Sequence, residues 1–326
     1  MKLIGLDAIR SLAIILVICC HYMTMQHPQV NPKFWDFLGP FGVQLFFSLS
    51  GFLIGRILID LADRPNLSIW LRFMARRWLR TLPLYWVILS ILILLSSDGS
   101  DMHRDYVKLF TLSQNLASTP TGTFGVAWSL AVEEIFYLIF SMVMFIGARL
   151  VGRRAIWVTA MIFLFVPMLA RCWLEVHEHE YPARTVILSL DGIAWGVVLS
   201  LIYQKKVITL VGSKAFLVGS VILISMAYVG IWKPINFSLL AIGCTLLVIP
   251  ALRCGEFQNI KKPFEIIARY SYGTYLIHVP TILIVGSIEN ESIRIFVYLT
   301  MLATFVYGFN ILVEIPFMKV RPSQSR

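Results

Sequence analysis

Arg10 and His21 stand eleven positions apart in LDAIRSLAIILVICCHY, residues 6–22, a run otherwise polar only at Asp7, Ser11 and its last tyrosine. Eleven residues make close to three helical turns, so the two share one face about 16 Å apart along the axis. An ionisable group in hydrocarbon costs several kcal/mol unless it is paired or wet, which makes each one a functional candidate. Asp7, three residues before Arg10, can lower the cost of burying the guanidinium by an i, i+3 ion pair. An imidazole is the natural general base near neutral pH. Spacing alone leaves His21 as either such a base or a packing histidine.

Three further segments carry buried polar groups. In WSLAVEEIFYLIF, residues 128–140, Ser129, Glu133 and Tyr137 recur every four positions and form one stripe. Glu133 has the polar neighbours and is expected to be buried and functional, whereas Glu134 can simply reach the interface. In ARYSYGTYLIHVP, residues 268–280, Ser271, Thr274, Tyr275 and His278 share a side, joined by Thr281. In GVQLFFSLSGFLIGRIL, residues 42–58, Gly51 and Gly55 suit close helix contact, and Ser48 is a candidate site residue. Asp191, seven residues after Arg184, and Glu314, before Pro316, add two acids. Arg72, Arg76, Arg77 and Arg80 have two readings. They are an anchor to anionic lipid heads, or a site for a phosphorylated donor, since guanidinium forks bind phosphate oxygens in pairs.

The elements that must hold these residues are membrane-spanning helices. Of 326 residues 58% are hydrophobic and 14% charged, with a mean hydropathy of +0.78, far from soluble averages. Apolar runs of the length that crosses about 30 Å of hydrocarbon recur over 6–24, 41–60, 82–97, 126–147, 155–174, 185–203, 215–232, 235–252, 271–288 and 293–313. The expected fold is therefore all-α, a polytopic membrane protein of about ten transmembrane helices in one domain, 1–326. The first run is read as a retained helix, because Asp7 and Arg10 interrupt its start. Residues 68–83 read as an amphipathic helix running into the third span.

The net charge of +10 does not point to nucleic acid, because the cations fall on alternate loops. Arg64 to Arg80, Arg149 to Arg154, Lys205 to Lys214, Arg253 to Arg269 and the residues after 318 lie on one side; Lys33, Arg104, Lys108, Arg171, Arg184, Lys233 and Arg294 are what the other side holds. The positive-inside rule then puts both termini in the cytoplasm. The five cysteines form no CxxC and no zinc spacing with histidine, so no metal is expected. The external stretches 98–125 and 175–184 are where an outside substrate would be met.

In order along the chain, LDAIRSLAIILVICCHY, GVQLFFSLSGFLI, RRWLRTLPLY, WSLAVEEIFYL, LDGIAWG, RYSYGTYLIHVP and EIPF together resemble the acyltransferase 3 family of membrane acyltransferases. Ile135 stands where the family often has Gln, and Gly273 and Thr274 vary the SYxxYL pattern. The resemblance implies acyl-CoA, usually acetyl-CoA, as a donor from the cytoplasmic side, and a carbohydrate hydroxyl of a cell-surface or exported polysaccharide as acceptor. It implies that Arg10 and His21 are essential, and it carries the glutamate of the Trp-Ser-Leu block onto Glu133 and the late histidine onto His278. No permanently bound cofactor is expected. No SGNH-type domain follows the tenth run, so transfer is expected inside the membrane domain unless a partner supplies the rest. The rival reading is a proton-coupled transporter, which also uses intramembrane Asp, Glu and His.

Overall fold

The computed structural model describes residues 4–96, 106–116, 124–177, 185–205, 212–253 and 261–323. The external stretches expected to meet substrate therefore lie largely outside the described residues, as do Arg184 and Cys254. Among the described residues there is no strand.

Among the described residues ten helices match the ten apolar runs: α1 Ile4–Gln26, α2 Pro32–Asp63, α3 Leu67–Leu95, α4 Trp128–Val151, α5 Arg154–Val176, α6 Asp191–Gln204, α7 Ser213–Val229, α8 Lys233–Arg253, α9 Lys261–Val285 and α10 Glu291–Phe309. Eight segments built on them are long and apolar enough to cross a membrane. Of the other two, α7 is apolar but has 17 residues, and α9 carries Lys261, Lys262, Glu265 and Arg269 in its first turns. The protein is an all-α polytopic membrane protein.

Two spans are longer than the apolar runs suggest. The amphipathic stretch before the third run and the run itself are one helix, α3, capped by the Asn66 side chain accepting from the Ser68 amide and continuing through Pro83. α2 likewise begins at Pro32 and continues through Pro40. Proline is tolerated inside such helices because neighbouring helices and local adjustments re-satisfy the freed backbone groups. α10 passes through a π-turn, Asn310–Glu314, before its last stretch Ile315–Lys319. Such turns interrupt the regular ladder and often mark functional positions.

α2 is the central post. It packs along α6, α1 and α8, and α1 in turn packs on α9. The contact with α6 is made backbone to backbone: a Cβ on Gly51 would run into the Ile193 carbonyl, and one on Gly196 into the carbonyl of Ser48. That close approach, the one expected from Gly51 and Gly55, fixes the rotation of α2 and so decides which of its side chains face the rest of the bundle.

Candidate active site

Five helices line a cavity of about 120 Å³ with polar groups set among apolar side chains such as Phe46, Phe47 and Leu53. Arg10 comes from α1, Ser50 from α2, Arg77, Arg80 and Thr81 from α3, Ser129, Glu133 and Tyr137 from α4, and Ser271, Tyr272 and Tyr275 from α9. The four-residue spacing on α4 does what helix geometry requires: Ser129, Glu133 and Tyr137 present one face. Across from them, the hydroxyl of Ser50 donates to the Glu133 carboxylate, as does the Tyr137 hydroxyl, and the two hydroxyls also touch each other. Arg10 lies within electrostatic reach of Glu133, Tyr137, Asp7 and Arg80. Glu133 is half-buried rather than buried as expected, and hydroxyl donors with a nearby guanidinium are the partners that a carboxylate partly removed from water requires.

The arginines of α3 divide between several tasks. Arg77 and Arg80 line the cavity, and the Arg77 guanidinium sits 5.3 Å from the centre of the Tyr137 ring, a cation–π distance. Arg76 donates to the carbonyl of Pro322, which ties the C-terminal segment to α3. Arg72 points away, donating to the Ser68 carbonyl at 3.2 Å. Arg321, which the sequence did not single out, joins the group. Burial, and then the charges of Arg76, Arg80 and Arg77, push its guanidinium down to about 10, still cationic at neutral pH. Glu314, on the π-turn, accepts from the Asn310 side chain at 2.5 Å and lies within reach of Arg80.

Glu134 does not reach the interface. It is buried, accepts from Thr81 Oγ1 at 2.7 Å, and its other oxygen has no hydrogen-bond partner among the described residues. Tyr272 secures the same place by donating to the Thr81 carbonyl at 2.5 Å. One helical turn further along α9, the Tyr275 hydroxyl lies 2.6 Å from Ser129 Oγ and donates to the Val126 carbonyl at 2.7 Å, so the far wall of the cavity is hydrogen-bonded shut.

His21 and His278 meet beyond that wall. Nε2 of His278 lies 3.2 Å from Nδ1 of His21, and the ring centres are 4.9 Å apart. Neither lines the cavity, but His278 follows Tyr275 by three residues on α9. The two sequence-predicted histidines, 257 positions apart, therefore form one unit.

Ser48 and Asp191 are also placed away from the cavity. Ser48 does not line the cavity: it is fully buried against α8, where Thr245 donates to it at 3.0 Å, and Ser50 takes the inward position because two residues turn a helix by about 200°. Asp191 pairs with Arg171 at 2.6 Å, within a network in which Arg171 also donates to Ser238 at 2.7 Å and to the Pro234 carbonyl at 2.9 Å, and Ser238 donates to Asp191 at 2.6 Å. This is a saturated buried pin between α5, α6 and α8. The sequence missed Ser50, Glu134, Tyr272 and Arg321. Glu134 and Tyr272 stand three residues before Tyr137 and Tyr275, which were named, and so share a helical face with them; Ser50, turned about 200° from Ser48, carried no such signal.

The family model described as an acyltransferase domain, acyltransferase 3, matches residues 3–315. The O-acetyltransferase OatA of Staphylococcus aureus is 27% identical over 336 aligned positions, covering 90% of this chain and 53% of that protein. The peptidoglycan O-acetyltransferase OatA of Listeria monocytogenes is 25% identical, covering 85% of this chain and 49% of its own length. The chain thus spans about half the length of the curated relatives it matches. No solved structure matches it. With a family match running over nearly every helix that builds the cavity, this chain belongs to the acyltransferase 3 family of membrane proteins.

Proposed function

We propose that the chain is an integral-membrane O-acyltransferase that moves an acyl group, acetyl in the simplest case, from acyl-CoA on the cytoplasmic side to a carbohydrate hydroxyl of the cell envelope. The observation that carries this reading is the cavity that joins the cations of Arg10, Arg77 and Arg80 to the Ser50–Glu133–Tyr137 cluster. A cavity of about 120 Å³ has room for an acyl group and the end of its carrier arm but not for a nucleotide; a single water needs about 10–15 Å³ on a comparable measure. The phosphates of the donor then belong at the arginine-rich mouth, on Arg76, Arg77, Arg80 and Arg321, where guanidinium forks suit them. The thioester points inward toward the His21–His278 pair, which requires Tyr275 and Ser129 to part.

His21 acts as the base. The acceptor oxygen bonds to the acyl carbon, the C–S bond breaks, and the hydroxyl proton passes to His21 and on to the CoA sulfur. Glu133 positions the donor end or the acceptor through its hydroxyl partners. The relative named for peptidoglycan supports a glycan acceptor in the cell wall or another envelope polysaccharide.

The test is thiol release from acetyl-CoA by the full-length protein in nanodiscs, with and without solubilised peptidoglycan, followed by detection of the acetylated glycan. Acceptor-dependent release supports the reading. Movement of labelled glycan across vesicles with no thioester consumed would replace it with the transporter reading.

A further inference from the structure

We propose that His278 is a positioning residue for His21, holding it as the Nδ1–H tautomer and accepting that hydrogen while charge develops on the ring. The inference rests on the reading of His21 as the base of transfer. His278 is fully buried, and its Nδ1 lies 2.7 Å from the Tyr275 carbonyl and 3.2 Å from that of Thr274. A carbonyl only accepts, so this nitrogen carries a hydrogen. In a neutral ring Nε2 is then bare and can only accept. Its neighbour at 3.2 Å is Nδ1 of His21, which must donate.

A second contact requires the same assignment independently. Nδ1 of His21 lies 2.9 Å from the Val17 carbonyl, another group that only accepts. The opposite tautomer would leave Nδ1 of His21 with only a lone pair to present to two acceptors, the Val17 oxygen and the bare Nε2 of His278. Both contacts therefore leave the basic lone pair of His21 on Nε2, the nitrogen that takes the hydroxyl proton and returns it to sulfur. During that step the Nδ1 hydrogen stays shared with Val17 and His278. The role is the one an aspartate plays in a serine–histidine–aspartate triad, filled here by a neutral ring in a layer where a carboxylate is costly. Around the pair, the titratable groups on packed elements are Tyr275 on α9, with its ring 5.8 Å from that of His278, Cys19, Cys20 and Tyr22 on α1, and Tyr298 on α10, which packs on Tyr22.

The experiment uses the full-length protein in nanodiscs with ¹⁵N-labelled histidine, together with His278→Gln and His278→Leu. Gln places an amide oxygen near the position of Nε2; Leu removes the acceptor. In the wild type, the His21 and His278 signals should each show a protonated Nδ1 and a bare Nε2. In acetyl-CoA thiol release with solubilised peptidoglycan, His278→Leu should lower kcat about 10- to 100-fold, the worth of one hydrogen bond to a charged ring, with the KM for acetyl-CoA unchanged. His278→Gln should stay within about threefold of wild type on the same argument. An active wild type with His21 protonated at Nε2 overturns the proposal, as does a folded His278→Gln that loses as much kcat as His278→Leu. A wild type with the expected tautomers that releases no thiol overturns the transfer reading itself, and with it the catalytic half of the proposal.

Discussion

The hydroxyl of Ser50 on α2 donates a hydrogen bond to the carboxylate of Glu133 on α4, 83 positions further along the chain. Tyr137 donates to the same oxygen, so the three act as one unit beside Arg10. Glu133→Gln should lower kcat at least about tenfold, because it removes the charge while keeping the shape. Ser50→Ala and Tyr137→Phe should each cost less, and the double variant should fall short of the product of the two, as contacting residues couple by about 0.5–3 kcal/mol. Steady-state thiol release on the four proteins measures this; strict multiplicativity would separate the two hydroxyls.

His21→Ala should reduce acetyl transfer by on the order of 10²–10⁴, the usual worth of a general base. Monodisperse, folded His21→Ala with wild-type turnover would remove His21 from the chemistry.

Arg77, Arg80 and Arg321 should set donor affinity. Ala at each is expected to raise the KM for acetyl-CoA several-fold, and Arg321→Lys to restore part of the loss, since lysine keeps the charge but not the bidentate fork. Burial, and then the neighbouring cations, push Arg321 down to about 10, and a bound polyanion relieves the repulsive part in the folded state. CoA should therefore raise the thermal midpoint, and by less in Arg321→Ala. Arg72→Ala, whose arginine turns to Ser68, should leave the KM for acetyl-CoA within about twofold, below the worth of a single charged hydrogen bond. Equal shifts in all four variants would contradict the division of the cluster.

Arg171→Ala should destabilise the protein by about 3–5 kcal/mol, because it strands Asp191 in a buried site. Replacing both members with apolar residues, Arg171→Met with Asp191→Leu, should cost less than the single change. Thermal unfolding of the detergent-solubilised protein reads the difference. A double variant worse than Arg171→Ala would give the pair a role beyond holding α5, α6 and α8 together.

Much of the site was legible in the chain itself. Ser129, Glu133 and Tyr137 were bound to share a face once residues 128–140 were helical, and Arg10 and His21 likewise, because helical period is a local property of the backbone. The all-α polytopic fold followed from run length and the thickness of hydrocarbon, with eight of the helices among the described residues long and apolar enough to span it. Tertiary structure decided the rest. Ser50 rather than Ser48 enters the cavity because Gly51 meets the backbone of α6 and fixes how α2 is turned. Glu134 lies buried on Thr81, and Asp191 finds Arg171 on α5. His278 becomes the partner of His21 only where α9 lies against α1, and Arg321 reaches the arginine cluster only because the segment after α10 folds back onto α3. Spacing along a helix says which residues look the same way; what they look at depends on the rotation and depth of helices far apart in sequence, and those are set by the packing of all of them at once.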